Sequence, residues 1–241
     1  MAKYFKITNV CETENDQNNS QADYFFTTID YIPKYYYHGI YLREIFLSED
    51  KDNGLISYPN NDRYCAKKII FGEKYSLCNP NTYSKFGLNM EYNIYLVDHA
   101  SEHGNIDFLN QWKENKWNLQ YSSDSINLAS QNGHINVLDW WITSGFKMKY
   151  TIHAIDWACE KGHDKILDWW KKSQLEMKYS YNAIVLAIKN NHQNIIEWWK
   201  NNIIINKKTT IINVMNWFVD NIAVIILNLL FMVILLFHNI F

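Results

Sequence analysis

The chain has 241 residues, a length that suits one elongated domain with a smaller module better than three globular units. Hydrophobic residues make up 48% of it and charged residues 20%, which excludes a disordered chain and a collagen-like fibre. With 23 Lys and Arg against 25 Asp and Glu, the formal charge is −2. The chain as a whole therefore does not attract phosphates, and we expect no nucleic-acid partner.

The first 90 residues form a candidate module of their own. They are rich in Tyr, Phe and Ile, and apolar residues alternate over Ile40–Leu47 and Ala66–Leu77, which predicts short strands. Polar stretches over Glu12–Asp23 and Ser48–Asp62 predict a loop and a surface turn. We expect residues 1–90 to be a small β-rich module that covers the exposed end of the segment that follows.

A repeat with a period of 29 residues occupies residues 91–207. Four columns keep this step: Gly104, Gly133, Gly162 and Asn191; Ala100, Ala129, Ala158 and Ala187; Tyr92, Tyr121, Tyr150 and Tyr179; and Trp112, Trp141, Trp170 and Trp199. Asparagine is the usual substitute for glycine in a left-handed turn. The pattern predicts four helix-turn-helix copies, over 92–120, 121–149, 150–178 and 179–207, that stack into one continuous core.

The second copy resembles the ankyrin repeat. Ala129, the Gly133-His134 pair, Val137, Leu138 and Gly145 stand in the ankyrin register, but the usual T-P-L-H start is absent and the period is 29 instead of 33. The Asp-Trp-Trp that follows each Gly-His resembles the ankyrin proteins of giant amoeba viruses of the mimivirus kind. The resemblance implies a non-catalytic protein-interaction scaffold that acts in the cytoplasm of an infected host cell, on an unidentified protein partner for which a host protein is a candidate.

Partner contacts are expected on the concave face that the first helices and the connectors would form. Positions predicted to share that face are Asp124, Asn127, His153, Asp156, Asn182 and Val185. The adjacent tryptophans Trp140, Trp169 and Trp198 are expected to contribute more to packing than to partner contact.

No residue pattern in the sequence indicates an active site. His134, His163 and His192 recur at the same step, but histidines about 10 Å apart cannot share one ion when metal–nitrogen bonds are near about 2.1 Å. Asp139, Asp168 and Glu197 also recur at one position, whereas an active site needs different groups that converge once. The four cysteines follow no secretory leader and are expected to be reduced. We predict no enzyme activity, cofactor, metal site or small-molecule substrate.

The last segment, 208–241, changes character. Ile222–Phe237 contains one polar residue, Asn228, which predicts an apolar C-terminal helix near the lower limit of length for a membrane span. As an anchor through residues 221–241 it would make the chain a tail-anchored tethering protein with the repeats as a cytosolic spacer. A degenerate fifth copy that closes the solenoid, or an altered gene end, are the alternatives. The predicted fold class is mostly α: an ankyrin-like solenoid with a small β-rich N-terminal module and an apolar C-terminal helix.

Overall fold

The computed structural model describes residues 4–9, 24–48, 54–58 and 62–202. Six strands in this part form one sheet: β1 Tyr4–Thr8, β2 Tyr24–Thr28, β3 Tyr41–Leu47, β4 Ile56–Ser57, β5 Tyr64–Ala66 and β6 Ile69–Ser76. Their spatial order is β4-β5-β2-β1-β3-β6, and all paired strands are antiparallel. Several neighbours in the sheet are therefore far apart in the sequence.

The two faces of the sheet have different partners. Phe5, Ile7 and Leu42 belong to a large buried cluster that includes Ile32 and Tyr36 of a 3₁₀-helix over Ile29–His38. On the other face, a smaller cluster forms around four buried residues, Phe26, Ile45, Ala66 and Ile69. This division follows from the alternation of side chains along a strand, which puts Phe5 and Ile7 on the same side.

Nine α-helices follow among the described residues: α1 Pro80–Phe86, α2 Leu96–Glu102, α3 Ile106–Asn115, α4 Asp124–Gln131, α5 Ile135–Ser144, α6 His153–Glu160, α7 Asp164–Lys172, α8 Asn182–Lys189 and α9 Gln193–Asn202. Helix α1 begins at Pro80, where the Asn79 side chain accepts the N–H of Asn81 at 3.0 Å. From α2 onward the helices form four pairs, each with a first helix of seven or eight residues and a second of nine or ten.

The turn inside each pair needs a left-handed backbone. Gly104, Gly133 and Gly162 have φ of 69°, 76° and 79°, and Asn191 takes the same role with φ of 58°. Space is limited as well, because a Cβ on Gly133 would lie 3.1 Å from the ring of His163 in the next pair. The sequence therefore has glycine where both the backbone angle and the neighbouring histidine exclude a larger residue.

The sheet module joins the first helix pair through a shared core. Val97 and Ala100 of α2 are fully buried in the same cluster as Phe5 of the sheet. At the edge of this core, His99 Nε2 lies 3.2 Å from the Tyr36 carbonyl oxygen. The module therefore covers the apolar end of the first pair, as a solenoid requires.

The prediction of a mostly α fold is wrong. A six-stranded antiparallel sheet makes up much of the described N-terminal part, because the Tyr, Phe and Ile residues of its strands pair across long sequence separations. The predicted apolar C-terminal helix is not among the observed elements, and residues 203–241, where it would lie, are outside the described residues. Within the described ranges, no helix combines the length and the apolar character that crossing a bilayer demands.

Candidate partner-binding surface

The helix pairs stack so that equivalent residues form columns. First helices α2, α4, α6 and α8 contact one another in that order, and so do the second helices α3, α5, α7 and α9. A residue in one copy therefore lies next to the equivalent residue of the neighbouring copy, 29 positions away in the sequence, or next to a residue close to that position. The columns divide into those that hold the pairs together and those that remain accessible.

One column joins successive pairs through hydrogen bonds. The Asn127 side chain accepts the N–H of Thr151 and donates to its hydroxyl, both at 3.1 Å. Asp156 accepts the N–H of Ser180 at 2.9 Å, and it also accepts the hydroxyl of that serine. Asp98 does the same for the start of the second pair. These side chains hold the connector that precedes each following first helix.

The first tryptophan column is the centre of the stack. Trp141, Trp170 and Trp199 are at most 2% exposed, and each indole N–H is directed at the first helix of the preceding pair. The acceptors are Ser101 at 3.3 Å, Ser130 at 3.3 Å and Cys159 at 3.4 Å. Because the column both fills the core and reaches the neighbouring pair, it fixes the spacing of the stack.

The second tryptophan column has polar partners that sequence reasoning missed. Each indole N–H donates to the residue 30 positions earlier: Trp140 to Asn110 at 2.8 Å, Trp169 to Asp139 at 2.7 Å and Trp198 to Asp168 at 2.7 Å. Asp139 and Asp168, two of the three recurring carboxylates, are thus acceptors for the indole of the next copy. The constant 30-residue offset between tryptophan and acceptor was the signal that could have revealed them.

The histidine column binds the backbone at the turns. His134 Nε2 lies 3.0 Å from the carbonyl oxygen of Glu102, and His192 Nε2 lies 2.8 Å from that of Glu160. Burial is the main cause that lowers the pKa of His163, and the charge of His134 adds to it. In the part of the chain that the structure describes, no group of three or more His, Cys, Asp or Glu side chains is placed to hold a metal ion.

The six predicted contact positions fall into two columns with different surroundings. Asp124, His153 and Asn182 are exposed. Asn127 and Asp156, in contrast, are 1% and 3% exposed, and their polar groups bind the following pair. Val185, the equivalent residue of the fourth pair, is half-buried. That these residues contact a partner stays a prediction, and only the first of the two columns is fully accessible.

A third column lies one residue further along each first helix than Asn127, Asp156 and Val185. Leu128, Trp157 and Leu186 follow Asp124, His153 and Asn182 by four positions and are half-buried, so each lies one turn below its exposed neighbour. The His153 ring stacks on that of Trp157, with 4.4 Å between centroids and 10° between planes. We call these six residues, Asp124, Leu128, His153, Trp157, Asn182 and Leu186, the first-helix face.

No family model matches the chain, and no solved structure matches it. Two proteins of Acanthamoeba polyphaga mimivirus are similar to it. "Uncharacterized protein L696" is 40% identical over 109 residues, which cover 43% of this chain and 34% of that protein. "Putative ankyrin repeat protein R868" is 30% identical over 136 residues, which cover 47% of this chain and 67% of that protein.

The chain belongs to the same family as the second of these mimivirus proteins. It spans about a third of the length of the first relative and two thirds of the second. The second relative is named for repeats of the ankyrin type. The stacked helix pairs of this chain are consistent with that name.

Proposed function

We propose that this mimivirus-family chain is a non-catalytic interaction scaffold of the ankyrin type, and that a protein partner binds its first-helix face. One observation carries the proposal: side chains vary between copies on this face, whereas the alanine column and the first tryptophan column, which build the core of the stack, stay constant. The apolar position reads Leu128, Trp157 and Leu186, and the exposed position reads Asp124, His153 and Asn182. A rigid stack that displays variable side chains is suited to recognition.

The relatives support the class of this function. The name of the mimivirus relative with ankyrin repeats favours protein partners, since repeats of this kind present extended binding surfaces. As part of the same proposal, the scaffold acts in the cytoplasm of the infected cell and its partner is a host protein. Two of the described thiols favour a non-catalytic role, because burial raises the pKa of Cys78 and of Cys159 to about 12 and leaves both as protonated thiols.

Trp157 is the expected centre of the binding surface. It stands outside both packing columns of tryptophan, and its ring is held by the stacked ring of His153. Partly exposed tryptophans that are already ordered bind with little loss of side-chain entropy and are frequent hot spots.

The experiment is capture of partners by the tagged full chain from amoebal host cells, followed by measurement of the affinity of each captured protein. Trp157→Ala is expected to weaken the specific partner by about tenfold or more. The matched control is Ile142→Ala, which removes an apolar side chain that is 45% exposed on a second helix, away from the first-helix face. Equal affinities for the two variants would contradict the proposal, provided that both unfold like the parent chain.

A further inference from the structure

A cleft opens where the sheet module meets the first two helix pairs. Its volume is about 560 Å³, within the range of small-ligand sites. The sheet module contributes Asn9 and Tyr41 to its lining, and the helix pairs contribute Glu102, His103, Asn132 and His134. The junction of two structural units is a frequent place for such sites.

With its histidines neutral, the described part of the cleft lining has one formal charge, and it is negative. Among the lining residues that the structure describes, Glu102 is the only carboxylate, and there is neither lysine nor arginine. A hydrogen bond from His99 is the main cause that lowers the pKa of Glu102, against the opposing effect of burial. Glu102 is therefore ionised at neutral pH.

Two acceptor atoms in the cleft have no donor among the described residues. The Glu102 contacts with His99 at 3.0 Å and with His103 at 3.9 Å both involve Oε2, and no described residue donates to Oε1. The Asn132 amide N–H donates to the Glu102 carbonyl at 3.0 Å, which leaves its own carbonyl oxygen without a donor among the described residues. An anionic wall with spare acceptors complements a ligand that is cationic and rich in N–H donors.

We propose that the cleft binds an organic cation, a guanidinium or a primary ammonium group, with Glu102 as its counter-ion. The group could belong to a free small molecule or to an arginine or lysine side chain of a protein. The site does not use the first-helix face, so it extends the proposed scaffold function and does not depend on it.

The test is calorimetric titration of the full chain with L-argininamide at pH 8, where an ordinary histidine is neutral. Citrullinamide, which has nearly the same shape without the guanidinium charge, is the matched ligand. We expect argininamide to bind and citrullinamide to bind at least about tenfold more weakly, the ratio that loss of a charged hydrogen bond produces. Glu102→Gln is expected to weaken argininamide binding by a similar factor.

The repeat provides a matched control for the protein as well. Glu160 occupies the position of Glu102 two copies later, and its carbonyl accepts the equivalent bonds from Asn190 at 2.9 Å and His192 at 2.8 Å. It does not line the cleft. Glu160→Gln therefore repeats the same chemical change at the equivalent turn of another copy, and argininamide binding should be unchanged by it.

Three results would overturn the proposal: no binding of argininamide at millimolar concentration, equal binding of citrullinamide, or equal binding by Glu102→Gln and the parent chain. If Glu102→Gln does not fold, the comparison of the two ligands on the parent chain decides alone. Trp157→Ala should bind argininamide normally, so failure of the scaffold function and failure of the cleft remain distinguishable. A Gly-Arg-Gly peptide identifies the source: tighter binding than argininamide indicates a protein side chain, and weaker binding a free small molecule.

Discussion

The sheet module and the helix pairs form their buried cores through different kinds of contact. In the module each contact occurs once and joins distant segments, as where β3 pairs with β6 and β2 with β5. In the helix pairs the same contacts recur every 29 residues, so one residue type serves one role in several places. The repeats therefore contain their own controls: a substitution can be compared with the same substitution in another copy, which the module does not permit.

The largest expected effect is on the free energy of unfolding, and it tests whether the second and third copies of the repeat are equivalent. Trp141→Ala and Trp170→Ala should each lower the free energy of unfolding by about 3–5 kcal/mol, because both rings are fully buried. Their acceptors lie at the same 3.3 Å. The measurement is urea unfolding followed by tryptophan fluorescence and circular dichroism.

The control for this pair is Trp157→Ala, which removes the same ring from a half-buried position on a first helix. It should cost clearly less stability than either core variant. If Trp141→Ala and Trp170→Ala differed from each other as much as from Trp157→Ala, the copies would not be equivalent and the comparison between module and repeats would fail.

A middle-sized effect concerns the hydrogen bonds that join the pairs. Asp156→Ala leaves the N–H and the hydroxyl of Ser180 without their acceptor, and should cost about 1–3 kcal/mol. Asp156→Asn should cost much less, because Asn127 already performs this role in the preceding pair. Thermal unfolding of both variants checks the order, and an equal loss would show that the carboxylate charge is what matters there.

The repeats were more predictable from the sequence than the sheet, for physical reasons. A left-handed turn needs glycine or asparagine, so Gly133 and Asn191 identified the turns directly. The strand order could not be predicted, because a short alternating strand such as Tyr4–Thr8 fits many partners equally well. The sequence indicated strands in this region but not that six of them form one sheet.

The burial of two predicted contact residues, Asn127 and Asp156, could not be predicted from the sequence for a related reason. Short first helices of seven or eight residues have two turns, and both the third and the fourth residue after an exposed position lie on nearly the same side. The neighbouring pair decides between them: Asn127 binds it, whereas Leu128 is left half-exposed. Contacts between copies were not visible in the pattern of a single copy.

The smallest expected effect lies where the two regions meet. The pKa of Glu102 is lowered chiefly by its hydrogen bond with His99, which in turn contacts the Tyr36 carbonyl of the module. A lowered folded pKa gives stability that is complete above the unfolded glutamate pKa of about 4.3 and is lost as the pH falls through the lower folded value. The parent chain should therefore exceed Glu102→Gln in stability at neutral pH by less than about 1 kcal/mol, since the pair is partly solvated.

That difference should shrink when unfolding is measured at pH values below about 4. Glu160→Gln again supplies the control, because no described residue donates a hydrogen bond to the Glu160 carboxylate. A constant difference for Glu102→Gln would mean that the carboxylate does not hold the histidine against the module. The sheet and the repeats would then be joined by their shared apolar core alone, with Val97 and Ala100 packed in the cluster that contains Phe5.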